Sequence, residues 1–202
     1  MAMSEAEVER ARAAQLPDDD VVGVLLRQHA HVRDLFADIQ STTGEHKKQA
    51  FDELRALLAV HETAEEMVLR PVTAEADRTV AEARNREEDE ATQVLRVLEK
   101  MDVNSSEFDR RLAEFEKAVS DHAEHEESEE FPRIRAARTE DQLEHMGRRL
   151  RTAEKIAPTH PHPSTAGSPA AQWTIGPVAS IIDRVRDAVR PSHRPPRGGR
   201  RA

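Results

Sequence analysis

HETAEEMVLRP, residues 61–71, decides how the chain is read, because it returns as HAEHEESEEFP at residues 122–132. Both copies have the form H-x3-E-E-x4-P, and 61 residues separate them. Each follows an apolar stripe with helical spacing. Before the first copy the stripe is Phe51, Leu54, Leu58, and His61, Glu65 and Val68 continue it without a slip. Before the second it is Phe108, Leu112, Phe115, Val119, continued by His122, Glu126 and Glu129. Steps of three and four residues define one face of an α-helix. The His and Glu of each copy therefore belong to the face that an amphipathic helix buries, not to its wet side. Pro71 and Pro132 end or kink their helices, since proline lacks the N–H that would continue the ladder.

Two further stripes flank these. Asp18, Asp19 and Asp20 favour a helix start, and Val22, Leu25, His29, Val32, Phe36 and Ile39 then form one face before a break at Gly44. A third helix is expected from about Ala74 to Met101, polar at first and then striped by Ala91, Val94, Leu95, Leu98 and Met101. Traced backwards this stripe reaches Glu88, with Glu87 on its edge and Asp89 leading to the solvated side. Positions 3, 6, 7 and 10 after His29 are Val32, Leu35, Phe36 and Ile39; the same offsets from Glu88 give Ala91, Val94, Leu95 and Leu98. This two-fold repeat favours Glu88 over Glu87 and Asp89. Ser106 with Asp109 has the pattern of a capping box opening the fourth helix. Another helix is expected from about Thr139 to Ile156, capped by Thr139 and Gln142.

Four helices thus each carry an ionisable residue into an apolar stripe: His29, then His61 and Glu65, then Glu88, then His122 and Glu126. An unpaired carboxylate in a bundle core costs several kcal/mol. Three carboxylates and three imidazoles at one level call for a positive centre, and two metal ions supply it. Carboxylates bridge cations, imidazole nitrogen is a terminal ligand for transition metals, and bundle cores build carboxylate-bridged dinuclear sites in this way.

Composition narrows the alternatives. The 202 residues are 34% charged with a formal net charge of −9, which disfavours nucleic acid as a partner. There is no Cys, so thiolate ligands, disulfides and a Cys nucleophile are excluded. No run of about 18 apolar residues suggests a membrane span. The N-terminus lacks the apolar stretch of a signal peptide, so the cytoplasm is the default expectation. No nucleotide-binding or Ser-His-Asp pattern appears.

The pattern resembles the hemerythrin HHE cation-binding domain family over roughly residues 18–137: a His on the first helix, H-x3-E on the second, a His on the third and H-x3-E on the fourth. The resemblance implies an all-α, up-and-down antiparallel four-helix bundle, here with an extra C-terminal helix and a flexible tail. It further implies a cofactor of two iron ions, oxo- or hydroxo-bridged, with His29, His61 and His122 as terminal ligands and Glu65 and Glu126 as bridges. The chain departs from the pattern on the third helix, where Glu88 stands in place of His. An anionic oxygen ligand favours the ferric state and lowers the reduction potential. That shifts the expectation from reversible O2 carriage towards peroxide, nitric oxide or redox sensing in oxidative or nitrosative stress. An iron store or buffer, or a metal-free interaction bundle, are the rival readings.

Four segments are expected: an extension at 1–17, the bundle with its following helix at 18–157, a Pro-rich linker at 158–176, and a tail at 177–202. In the tail Val178, Ile181, Ile182, Val185 and Val189 form a short amphipathic pattern that would dock on the bundle or on a partner, ahead of a basic end. His125 with Glu129, His31, His46 and His145 are read as surface or supporting groups, and His160 and His162 as parts of a connector.

Overall fold

The computed structural model describes residues 3–156, and these are helical with short connections. The helices are α1 (Glu5–Ala13), α2 (Val21–Ser41), α3 (Gly44–Val68), α4 (Arg70–Ala76), α5 (Arg78–Leu98), α6 (Ser106–His125), α7 (Phe131–Ala137) and α8 (Glu140–Ile156), with a π-helical turn at Glu126–Glu130 between α6 and α7. The Pro-rich linker, the amphipathic pattern at 177–190 and the basic end all lie outside the described residues.

The core has two apolar clusters with a polar layer between them. One cluster joins Val21 to Leu26 of α2, Val68, Phe131, Ile134 and the inner face of α8. The other joins Val32 to Ile39 of α2, Phe51, Leu54 and Leu58 of α3, Leu98 of α5 and Phe108 to Phe115 of α6. α2 runs from the first cluster through His29 to the second. α3 starts in the second and returns to the first through His61. α5 runs towards the second cluster through Glu88, and α6 leaves it through His122. Successive long helices therefore alternate in direction, which is the up-and-down bundle. Burying the stripes provides the main driving force, on the order of 1.5–3 kcal/mol for each large apolar side chain.

Local chemistry sets the helix ends. Asp20 is the N-cap of α2 and accepts from the N–H groups of Val22 at 2.9 Å and Gly23 at 3.3 Å. Its other oxygen takes Arg135 at 3.2 Å, so the cap also ties α2 to α7. Thr139 and Gln142 cap α8 reciprocally, as expected. The fourth bundle helix is capped one residue earlier than the sequence suggested: Ser105, not Ser106, accepts from Phe108 N–H at 3.1 Å. The expected single helix from Ala74 to Met101 is in fact two, α4 and α5, because Asp77 adopts an extended conformation and its side chain caps Thr79 and Val80.

The N-terminal extension forms a helix that packs on α2. Ser4 and Glu7 make its capping box, and buried Glu9 accepts from Arg33 Nε at 2.7 Å. α8 approaches so closely that a Cβ on Gly147 would lie 1.9 Å from the Asp19 carbonyl oxygen, so only glycine fits there.

Candidate metal centre

The polar layer is built from the two H-x3-E-E-x4-P copies and the residues facing them. α3 ends at Val68, and Pro71 sits in the first turn of α4, where its missing N–H costs nothing. Pro132 plays the same part in α7, but here the chain first widens into the π turn, with Phe131 N–H bonding the Glu126 carbonyl. The extra residue in the turn changes which side chains face inward. Glu126 and Glu130 are both fully buried, whereas Glu129, expected on the stripe, is half exposed. A π turn inserted in an α-helix commonly accompanies a functional site.

His29, His61, Glu65 and Glu126 bring one donor atom each to within 4.8 Å of one another, and Glu65, Glu88, His122 and Glu126 do the same. The two groups share Glu65 and Glu126. All six residues singled out in the sequence are thus in one place, and Glu87 and Asp89 are not in either group. Asp89 is exposed.

Each imidazole is held from behind. His61 Nδ1 lies 2.7 Å from Gln28 Oε1, and the Gln28 amide N–H donates to Glu154 of α8. That amide must point its nitrogen at the carboxylate, so its oxygen faces His61 and His61 Nδ1 is the donor. The Nε2 atom then carries a lone pair into the centre, 3.5 Å from Glu65 Oε2. Burial, reinforced by the charge of His29, pushes His61 down to about 3, which keeps it neutral. His29 Nδ1 donates to Glu127 at 3.0 Å, and its Nε2 lies 3.3 Å from Glu126 Oε2. Burial opposes its protonation, but the adjoining carboxylates of Glu126 and Glu127 prevail and raise it to about 9. His122 Nδ1 donates to Glu87 at 2.9 Å, and its Nε2 lies 3.2 Å from Glu126 Oε1. Such partners behind a ligating imidazole fix its tautomer and orientation.

The carboxylates show the corresponding tension. Burial and the neighbouring Glu126 charge drive Glu65 well above the ordinary carboxylate range. Glu126 lies well below it; burial opposes this, but His122 and His29 prevail. Both oxygens of Glu65, Glu126 Oε2, His29 Nε2 and His122 Nε2 are buried and make no hydrogen bond. Buried polar atoms left in this state cost about 1–3 kcal/mol each, so their convergence on one point fits a cation.

A hemerythrin HHE cation-binding domain model matches residues 20–134, more than half of the chain. The chain belongs to the hemerythrin HHE cation-binding domain family. Its fold is similar to the crystal structure of a hemerythrin HHE cation-binding-domain protein from Mycobacterium kansasii, with a TM-score of 0.60 and 21% identity over 65% of this chain and 83% of that one. No curated protein matches the chain.

Six residues of this HHE domain were not singled out from sequence. Arg70 enters the polar layer from the start of α4, where its guanidinium meets Glu88 and, at 2.6 Å, Glu130 Oε2. Glu130 also accepts from Thr73. Gln28 and Glu127 are the imidazole partners described above. Half-buried Glu62 lines a cavity of about 30 Å3 beside His29, His61, Glu88 and His122, with Phe36 and Leu58 among its apolar walls. Burial and the Glu88 charge push the Glu62 carboxyl up to about 8. His125 is half exposed, 3.0 Å from Glu87 Oε1, and His31, His46 and His145 are exposed. No helix among the described residues is long and apolar enough to cross a membrane.

Proposed function

We propose that the chain is a non-haem di-iron protein that binds or senses a small oxidant or nitrogen oxide: O2, peroxide or nitric oxide. His29, His61, Glu65, Glu88, His122 and Glu126 hold the two ions, with Glu65 and Glu126 common to both. The observation that carries the reading is the pair His61 Nε2 and Glu65 Oε2. Gln28 leaves the Nε2 lone pair of His61 facing Glu65, whose two oxygens have no hydrogen-bond partner, across 3.5 Å in a buried layer. A metal ion placed between them takes both as ligands at once. Oxygen and nitrogen donors of this kind suit iron.

When bound, iron supplies the redox chemistry and an open position for the ligand. The chain supplies the rest. Gln28, Glu127 and Glu87 orient the three imidazoles. Phe36, Leu58 and Ala91 give the cavity beside the site an apolar wall, and Glu62 places one carboxyl in it. This small cavity, about 30 Å3, is roomy enough for a small ligand beside the site.

The test is a difference absorption spectrum of iron-loaded protein on anaerobic addition of nitric oxide or peroxide, and on exposure to O2. The expected result is a new band with at least one of the three, absent from His61→Ala and His122→Ala. An unchanged spectrum with all three, in protein that holds iron, would contradict ligand binding and favour buffering.

A further inference from the structure

The two repeat copies end differently, and the difference falls inside the site. Residue by residue, the position before Pro71 is Arg70, and the position before Pro132 is Phe131. Phe131 is fully buried and stacks on His29, with ring centroids 5.9 Å apart and planes 14° from parallel. Its contribution to the His29–His61 half is apolar. Arg70 contributes a permanent positive charge to the other half. Its Nη2 contacts Glu88 Oε1 and lies 3.5 Å from Glu126 Oε1 and 3.9 Å from Glu65 Oε2. Those three residues, with His122, are the second group of candidate ligands.

We propose that Arg70 acts as the resident cation of the His122–Glu88 half and so makes the two metal positions unequal. The inference rests on the di-metal reading above. The first ion binds among His29, His61, Glu65 and Glu126, whose carboxylates Arg70 Nη2 only approaches, its close contact being with Glu88, which belongs to the other group alone. The second binds among Glu65, Glu88, His122 and Glu126 only as Arg70 Nη2 gives up Glu88. An ion brought beside a guanidinium in a buried layer meets like-charge repulsion as well as losing a ligand to it. The arginine has somewhere to go: Nη1 stays on Glu130 at 2.6 Å while Nη2 withdraws, and Glu130 is itself held by Thr73. The π turn makes this possible, since it turns Glu130 inward together with Glu126.

The experiment titrates metal-free full-length protein with Zn2+, which has no redox chemistry, by calorimetry. Wild type is expected to bind two ions in two steps whose affinities differ by roughly tenfold or more. The tighter step survives in His122→Ala and is lost in His61→Ala. In Arg70→Met the two steps draw together, and in Arg70→Lys, which keeps a charge, they stay apart. Equal affinities in wild type, loss of the tighter step in His122→Ala, or an unchanged separation in Arg70→Met would each overturn the proposal. Should Arg70→Met fail to fold, the two histidine variants still decide it. Two ions bound equally leave the di-metal reading standing and remove this inference alone; no ion bound removes both.

Discussion

The two H-x3-E-E-x4-P copies build opposite walls of one site, yet they reach it by different backbone routes. The first breaks at Leu69 and restarts as α4, and the break carries Arg70 into the layer. The second widens through a π turn, which aims Glu126 and Glu130 inward and leaves Phe131 against His29. The supports differ too. His61 is held by an amide tied to α8, whereas His122 is held by the carboxylate Glu87, which His125 and Arg84 also approach. A near-repeat in sequence therefore yields one half backed by a stacked phenylalanine and another backed by a buried guanidinium. The difference teaches that two copies of one ligand pattern can present the same donors with different neighbours, a buried ring in one case and a guanidinium in the other.

The largest contrast lies in stability. Phe131→Ala removes a fully buried ring and should cost about 3–5 kcal/mol, measured by denaturant unfolding with and without Zn2+, and the metal should not restore the loss. Arg70→Met in the metal-free protein should cost a similar amount, about 3–5 kcal/mol, because it strands Glu88 and Glu130 without their counter-ion. Here Zn2+ should recover much of the loss, since a metal cation replaces the guanidinium. Equal rescue of both variants would erase the distinction between the halves.

Next in size are the shared carboxylates. Glu65→Gln and Glu126→Gln each remove a group common to both ion positions and should weaken binding of both ions about 100-fold or more, read by competition with a chelator. A variant that loses one ion and keeps the other at full affinity would show that its carboxylate does not bridge.

Smaller effects should separate the halves by their supports. Gln28→Leu frees His61 and should weaken the tighter ion by about 10–100-fold; Glu87→Gln should do the same to the weaker one. His125→Ala alters an exposed contact worth about 0–1 kcal/mol and should change neither step. If Gln28→Leu and Glu87→Gln affect both ions alike, the halves are more tightly coupled than their separate supports suggest.

Much of this was legible in the sequence because buried helical faces keep phase. His29, His61, Glu65, His122 and Glu126 extend stripes of large apolar residues, and packing such stripes together brings their ionisable members to one level. Glu88 could be separated from Glu87 by the register it shares with His29, a purely geometric argument. What was not legible depends on departures from that regularity. A π turn adds a residue per turn without any compositional mark, so Glu129 looked inward when Glu130 is the buried group. Arg70 lies beyond the last apolar residue of α3, where periodicity carries no information, and only the chain direction after Pro71 brings it back. Gln28 and Glu127 sit beside or opposite the stripes and act through partners distant in sequence. Asp77 breaks the third helix by capping α5, a signal of the same kind as Asp20 but set within a run that reads as continuous helix.

The central question for this protein is whether the polar layer holds metal. Full-length protein should be stripped with chelator, loaded anaerobically with excess ferrous iron, desalted, and analysed for iron per chain beside a circular dichroism spectrum. Two irons per chain in wild type, with marked loss in the His61→Ala and His122→Ala variants that remain helical, is the predicted result. Wild-type protein that keeps its helical spectrum and carries no iron above background would contradict the central claim.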